Sequence, residues 1–193
     1  MENTPVSNII DSIEKLLRYL IPGVTFFLLF ALSCPKYFDT IFGEISDSEI
    51  LVFLSIFTIG VSIYVVHHSI IRFTLEQLAY ILNLSPVNIY CENRYPCSYS
   101  KAHAKLILSR KDNPKYPEDY YIYLWAIVHY SFIMSWLIII FSYLHEETSW
   151  VGYHATAFRI LGFIILVLSL SSYFYMQALE KNTTAELKET KKA

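Results

Sequence analysis

Charged residues are scarce in this sequence, and their scarcity is the first constraint on its structure. The chain has 193 residues, of which 17% are charged and 54% are hydrophobic, whereas a soluble domain carries about a quarter charged residues. The charges are also clustered, so that long stretches such as Tyr120 to Leu144 contain none. This pattern excludes an ordinary soluble domain and is typical of a membrane protein with several helical spans.

Cysteine and glycine are also sparse. The three cysteines, Cys34, Cys91 and Cys97, are odd in number, which argues against a disulfide framework. With only five glycines the chain has no phosphate-binding glycine loop. His145 and Glu146 are followed by Glu-Thr-Ser, so the zinc-protease motif HExxH is absent. We therefore do not expect an enzyme, and we identify no catalytic residue.

The first twenty residues predict an N-terminal amphipathic helix at the membrane interface, with a packed terminal helix as the alternative. Within Ser7–Leu20 one helical face collects the apolar residues Ile9, Ile13, Leu16 and Leu20. This start has no basic region followed by a small-residue cleavage site, so no cleavable signal peptide is expected. Pro22 cannot donate to the Arg18 carbonyl, and the helix should kink or restart there.

The hydrophobic runs predict an all-α polytopic membrane protein with four spans, at about residues 19–34, 50–67, 120–144 and 155–179. The first is shorter than the roughly 20 residues that a span needs. Together with the segment 68–119 they form a domain over residues 21–180, followed by a polar tail, 181–193, expected to be frayed or a loose helix. Pro35 to Glu49 is expected to be a polar loop. Arg159 is expected to snorkel outward rather than to be a buried functional charge.

The stretch from Leu51 to Leu84 is predicted to be one continuous helix around which the chain is organised. Such a helix is about 51 Å long, which exceeds the roughly 30 Å of the hydrocarbon core. We expect it to leave the bilayer near His67–His68 and to continue with one apolar face, formed by Ile71, Leu75, Leu78 and Leu82. A short helix at Ser100–Arg110 is expected to cover that face, which makes segment 68–119 a small helical cap.

Positive charge predicts the orientation of the chain. Thirteen of the fifteen Lys and Arg residues lie in the N-terminal segment, the segment from His67 to Asp119, or the tail. We therefore expect both termini and the cap to be cytosolic, in the inner cell membrane. The cap has seven basic and five acidic residues, so we expect it to face an anionic leaflet or a protein partner, and not nucleic acid. The predicted surface consists of Arg72, Arg94, Lys101, Lys105, Arg110, Lys111 and Lys115.

Small residues form a stripe on two of the predicted spans. On the second span these are Ser55, Thr58, Ser62 and Ser69, and on the fourth they are Gly162, Ser169 and Ser172. We expect them to serve helix packing, with the lining of a pore assembled from several copies as the alternative. No acidic residue lies inside a span, so a proton or cation carrier is not expected.

Histidines raise two further questions. His129 lies deep in the third span and is expected to make a hydrogen bond to another helix, with a pH-sensing or ligand role as the alternative. A group near the predicted inner surface, His67, His68, Cys91, Cys97 and His103, has spacings that do not match zinc knuckles, so we expect no metal and no cofactor. A metal-dependent or lipid-modifying membrane enzyme that uses those three histidines stays open, as does a small-molecule carrier.

The amphipathic start that runs into RYLIPGVTFFLLF, the four spans with both ends inside and the basic middle segment resemble small membrane proteins of prokaryotic defence islands. Among these, the chain resembles the four-span accessory membrane proteins of type VI-B CRISPR loci, with Arg18 to Gly23 as the local motif. The chain lacks the nuclease-like Arg/His signature of the other accessory family of those loci. The resemblance implies a non-enzymatic regulator or membrane effector of antiviral RNA-targeting defence. Such a protein is expected to self-associate in the bilayer and to contact a cytosolic partner such as an RNA-guided nuclease.

Overall fold

In the computed structural model of the protein, every element of the described residues is helical, which confirms the all-α fold class. The structure describes residues 15–43, 48–91, 99–111 and 118–190. Within them a π-helical turn, Leu16–Leu20, precedes α1, and a 3₁₀ turn, Pro86–Tyr90, follows α3. The helices are α1 (Ile21–Ser33), α2 (Pro35–Phe42), α3 (Glu49–Ile81), α4 (Tyr99–Lys111), α5 (Glu118–Tyr143), α6 (Trp150–Tyr153) and α7 (Ala155–Thr190).

Three helices, α3, α5 and α7, are long and apolar enough to cross a membrane. The stretch that contains α1, Arg18–Ser33, is apolar but shorter. The outward faces of α3 and α7 expose large apolar side chains, among them Phe53, Leu54, Val65, Ile160, Phe163, Val167 and Leu168. Soluble proteins rarely expose apolar patches of this extent, so these faces are suited to contact with lipid.

Helix α5 is the centre of the bundle, because its side chains enter two separate apolar clusters. In the first, α5 packs against the C-terminal part of α3, after the π segment, and against α7 through Leu75, Ala79, Tyr121, Val128, Phe132, Tyr173 and Met176. In the second, α5 packs against α1 and the part of α3 before His67 through Leu29, Ile63, Ile133, Leu137, Ile138 and Phe141. Close van der Waals packing of these side chains holds the helices around α5.

Two glycines bring α1 and α3 into direct backbone contact. A Cβ on Gly23 would overlap the Ile56 carbonyl oxygen, and one on Gly60 would overlap the Tyr19 carbonyl oxygen. Helices in membranes approach closely where small residues meet, since apolar attraction between them is weak in lipid. The glycines therefore let the π turn and the short helix α1 lie directly against the N-terminal half of α3.

The predicted restart at Pro22 appears as a change of helical register. Upstream, the Ile21 N–H donates to the Leu16 carbonyl, five residues back, as in a π-helix. Pro22 then occupies the first turn of α1, where its missing N–H makes no bond to the preceding π turn. The chain stays helical through this point. Residues 1–14 of the predicted amphipathic helix lie outside the described residues.

The predicted continuity of the long helix is confirmed. Helix α3 runs from Glu49 to Ile81 without a break at His67–Ser69, and residues His67–Arg72 within it are π-helical. It ends three residues before Leu84 in a Schellman motif: Asn83 has φ 56°, and the Leu84 N–H donates to the Ala79 carbonyl at 2.9 Å. The π segment was not predicted, because hydrophobic periodicity does not distinguish one register from the other over a single turn.

The prediction that the helix at Ser100–Arg110 covers the apolar face of α3 from Ile71 to Leu82 is wrong. Ile71 and Leu75 pack against α5 and α7, whereas Leu78 and Leu82 are exposed. Helix α4 instead packs on the next edge of α3 and on the 3₁₀ turn, through Tyr80, Val87, Ala102 and Leu106. Helix α4 does not cover this face because α7 extends along it and packs there through Tyr173 and Met176.

The connection from Pro35 to Glu49 is not a simple loop, because it contains helix α2. Phe38 and Phe42, one turn apart, contact Phe27 and Phe30 of α1, with ring centroids 4.7–6.2 Å apart. Stacking of these rings against α1 favours a helix over an open loop. Residues 44–47 of the connection lie outside the described residues.

The polar tail is also more ordered in the structure than predicted, because α7 continues as a helix to Thr190. Glu180 and Thr184 are buried, with exposed fractions of 5% and 4%. Lys181 donates to the Asn83 carbonyl at 2.6 Å, and Lys188 donates to the Ile89 carbonyl at 3.2 Å. These bonds dock the tail on the end of α3 and on the 3₁₀ turn.

Candidate functional site

A cavity of about 200 Å³ with a mixed polar and apolar wall lies where the π turn, α3, the 3₁₀ turn, α4, α5 and α7 meet. Four of its lining residues carry charge: Arg18, Arg72, Glu76 and Glu180. The other lining residues are polar, aromatic or apolar: Ser85, Pro86, Val87, His103, Leu106, Tyr121, Ile122, Trp125, His129, Tyr173 and Gln177. A cavity between helices with convergent polar groups is the usual form of a small-molecule site. We call this end of the bundle the cavity end.

Arg72 is held in the cavity wall by two neighbours on its own helix. Its Nε donates to Glu76 Oε1 at 2.7 Å, and one terminal nitrogen lies 2.6 Å from His68 Nε2. Arg72 was predicted on the partner surface; in the structure it lines the cavity, with 33% of its side chain exposed, and its role toward a partner stays a prediction. Because the π segment inserts about one residue, the face below it is offset by roughly 100°, and Arg72 turns inward while Ser69 stays exposed.

Arg18 brings the second guanidinium from the π turn before α1. It lies over the ring of Tyr64, 5.4 Å from the centroid, in cation–π geometry. Tyr19, its neighbour, contacts the same tyrosine edge to face at 5.4 Å. The π turn is thus anchored to α3 by aromatic contacts, and its arginine reaches the cavity.

Helix α7 contributes an amide and a carboxylate one turn apart, Gln177 and Glu180. Gln177 is 6% exposed, and its Nε2 donates to the Tyr173 hydroxyl at 3.0 Å. Its Oε1 has no hydrogen-bond partner. A buried acceptor left without a donor costs about 1–3 kcal/mol, so this oxygen is a strong site for a donor that enters the cavity.

A pair of buried histidines connects the cavity to the bundle core. His67 Nε2 lies 3.1 Å from His129 Nδ1, which confirms the predicted cross-helix hydrogen bond of His129 and identifies its partner. His129 also lines the cavity and stacks on Trp125, with centroids 5.7 Å apart. His67 is fully buried and begins the π segment. The pair therefore links the cavity wall on α5 to the register change in α3.

The other residues considered for a metal site are dispersed. His68 contacts Arg72, the Cys91 sulfur lies 3.3 Å from the Tyr80 hydroxyl, and His103 lines the cavity. Across the described ranges no three His, Cys, Asp or Glu side chains are grouped so that they could hold a metal ion. Cys97 lies outside those ranges.

The predicted basic surface is only partly visible. Lys105 is exposed on α4. Arg94 and Lys115 lie outside the described residues, as do the side chains of Lys101, Arg110 and Lys111. The partner surface therefore remains a prediction.

The small-residue stripes have two different environments. Gly162 and Ser169 of α7 are buried, and a Cβ on Gly162 would lie 2.7 Å from the Ile139 side chain of α5, so these two residues serve packing, whereas Ser172, the third predicted member, is exposed. On α3, Ser55 is half-buried, whereas Thr58, Ser62 and Ser69 are exposed. Ser62 donates to the Thr58 carbonyl of its own helix at 2.9 Å. This stripe is therefore free for contacts outside the chain.

Arg159 lies at the far end of the bundle from the cavity. Its guanidinium donates to the Ser142 carbonyl at 3.1 and 3.3 Å and lies over the Tyr143 ring, 4.2 Å from the centroid. The residue thus satisfies a free carbonyl near the end of α5 and has a structural role there.

Sequence reasoning missed the cavity because its wall comes from six separate elements. One local signal was present: Gln177, Glu180 and Thr184 recur at helical spacing and give the end of α7 a polar face. The geometry described above is the basis for interpretation, because no protein-family model matches the chain, and neither a curated protein nor a solved structure matches it.

Proposed function

We propose that the protein is a four-span integral membrane protein of the inner cell membrane, with both termini and the cavity end on the cytosolic side. The three long apolar helices and their exposed apolar faces support membrane insertion. The stretch Arg18–Ser33 supplies the fourth, short span, pinned to α3 at Gly23 and Gly60. Thirteen of fifteen basic residues on the cytosolic segments support the orientation.

Within the membrane the protein acts as a non-enzymatic regulator or effector that couples its cytosolic end to its spans. The observation that carries this proposal is the uninterrupted course of α3, which holds His67 in the bundle core and the Arg72–Glu76 pair in the cavity wall. A partner or ligand that displaces the wall also displaces the span, because the two belong to one helix.

The biological setting comes from the resemblance to the accessory membrane proteins of type VI-B CRISPR loci. We place the protein in prokaryotic antiviral defence, where it modulates an RNA-guided nuclease or damages the membrane during infection. Self-association through the exposed stripe at Thr58 and Ser62 would assemble a pore.

The orientation is tested by labelling single cysteines in intact cells with a membrane-impermeant maleimide. In a background where the three native cysteines are serine, Thr148→Cys should be labelled and Lys105→Cys should react only after permeabilisation. Both positions are exposed in the structure. The reverse pattern would overturn the orientation.

The coupling and the setting are tested together in cells that carry the native locus and are challenged with phage. One alanine inserted after His68 should abolish protection while the protein stays in the membrane, whereas one alanine inserted after Thr148, in an exposed turn, should preserve it. Full protection by both variants would remove the coupling proposal. Equal phage sensitivity with and without the gene would remove the defence proposal.

The pore version is tested by light scattering on protein in detergent. An assembly larger than the 22.5 kDa monomer is expected after subtraction of the detergent mass, and a clean monomer would eliminate the pore.

A further inference from the structure

We propose that the cavity binds a small zwitterionic group, with an ammonium at one pole and a phosphate or carboxylate at the other. The inference rests on the proposed function and deepens it, since it names the chemical class of ligand that acts on α3. It follows from the charges in the cavity wall, one unpartnered buried acceptor and the size of the cavity.

The anionic pole of the ligand is expected between Arg18 and Arg72. These arginines come from the π turn and from α3, so their guanidinium groups approach the cavity from different elements. Arg72 uses only part of its donor set on Glu76 and His68, since a guanidinium has several N–H groups. Arginine donors in this arrangement suit the oxygens of a phosphate or carboxylate.

The ammonium pole is expected at Gln177 and Glu180 on α7. The Gln177 Oε1 is an acceptor without a partner on a side chain that is more than nine-tenths buried. Glu180, 5% exposed and one turn away, adds a carboxylate to the same wall. An ammonium group has three N–H donors and positive charge, and the same wall contains the aromatic residues Trp125 and Tyr173.

Charge balance favours a zwitterion over a simple ion. The wall has two arginines and two glutamates, so its formal charges balance, and a zwitterion can enter without adding net charge to the cavity, whereas a bare phosphate or a bare amine adds one. The cavity of about 200 Å³ equals roughly seven water molecules at about 30 Å³ each. This size suits a compact group such as phosphoethanolamine.

Two sources can supply this group: a soluble zwitterion from the cytosol, or the headgroup of phosphatidylethanolamine from the inner leaflet. The soluble arm titrates the full-length protein in a nonionic detergent with phosphoethanolamine and, separately, with phosphate and with ethanolamine. The lipid arm counts the phosphatidylethanolamine that stays bound in native mass spectrometry, with phosphatidylglycerol as the competitor. The variants are Arg18→Gln and Glu180→Gln, and the matched controls are Lys105→Gln and Glu189→Gln, which change exposed residues outside the cavity.

Phosphoethanolamine is expected to bind the wild type about tenfold or more tightly than either half, and both cavity variants should lose about tenfold while the controls bind normally. Retention of phosphatidylethanolamine by the wild type and controls alone would support the lipid source. Equal binding by wild type and cavity variants in both arms, or no binding in either arm, would overturn the proposal. If the cavity variants do not fold, the affinities of the wild type for phosphoethanolamine, phosphate and ethanolamine test the proposal alone. Affinity for phosphoethanolamine no higher than for either half would then overturn it. The binding assay and the alanine insertion after His68 are independent. A failed ligand proposal therefore does not decide whether α3 couples the cavity end to the membrane.

Discussion

The two ends of the bundle are built from different interactions. At the end opposite the cavity, residues 33–43 and 144–155, main-chain groups dominate: the Glu146 N–H donates to the Ser33 carbonyl at 2.8 Å, and the Lys36 N–H donates to Glu146 Oε1 at 3.1 Å. At the cavity end, side chains from distant segments meet, and the histidine pair and the Arg72–Glu76 pair hold the wall. One end is held by hydrogen bonds to main-chain groups, whereas at the other end side chains form the wall of the cavity.

Helical register sharpens this difference. Among the described residues both π-helical segments, Leu16–Leu20 and His67–Arg72, lie at the cavity end, and each contributes an arginine to the wall. Short π segments inside α-helices are rare and occur often at functional sites.

The largest effect is expected at the contact between α1 and α3. Gly60→Leu places a side chain on the Tyr19 carbonyl and should separate the π turn from α3, with a loss of about 3 kcal/mol or more, since the obstacle is backbone. Thermal unfolding in detergent measures the loss. Thr58→Leu, an exposed change on the same helix, is the control, and equal midpoints for the two variants would contradict the close packing.

The next effect is expected at the histidine pair. His67→Leu or His129→Leu alone leaves the other buried imidazole without its hydrogen bond and should cost about 1–3 kcal/mol. The double variant should cost less than the sum of the singles, because it leaves no unpaired ring. His154→Leu, exposed at the opposite end, should change stability by less than about 0.5 kcal/mol. Strict additivity of the two single changes would show that the rings are not coupled.

A smaller and local effect is expected from Glu146→Ala. The variant removes the acceptor for the Lys36 N–H at the start of α2, which is worth about 1 kcal/mol for a helix cap. Hydrogen exchange should quicken in α2 alone, and phosphoethanolamine affinity should stay at the wild-type value. A change in that affinity would mean that the two ends are not independent.

The smallest effect is expected from Lys181→Gln. Lys181 is half-exposed and joins α7 to the Asn83 carbonyl and side chain, and exposed charged contacts contribute about 0.2–1 kcal/mol. Proteolysis of the tail should accelerate slightly while the unfolding midpoint falls by only a degree or so. A large fall in the midpoint would place the tail among the main determinants of stability.

Periodicity and charge were sufficient to predict the three long apolar helices, because both properties are local. The uncharged runs predicted α3, α5 and α7, and the absence of a strong breaker between Leu51 and Ile81 predicted the continuity of α3. Helix α2 was missed because the residues that pack it on α1, Phe38 and Phe42, are few. Their contacts with Phe27 and Phe30 of α1 cannot be read from the local sequence. Local polarity alone made that connection resemble a loop.

The candidate site could not be predicted, because it depends on which faces meet. Arg72 continues the serine stripe in α-helical register, but the π segment offsets it into the cavity. His129 was expected to have a partner, yet His67 could be identified only once α3 and α5 were placed side by side. Glu180 was predicted as the last residue before the polar tail, and its burial follows from the extension of α7 beside α3 and α5.

We infer that the π segment sets how residues 49–66 of α3 are rotated relative to residues 73–81, the part of the helix at the cavity end. Deletion of Ser69, an exposed residue, removes the extra residue, so Gly60–Ile63 and Leu75–Ala79 can no longer both face their packing partners. The measurement is maleimide labelling of Leu75→Cys, a position 8% exposed, in the cysteine-free protein with and without the deletion, together with the unfolding midpoint. We predict that the deletion makes this cysteine reactive and lowers the midpoint. A deletion variant with the parental midpoint and an equally protected cysteine would contradict the claim.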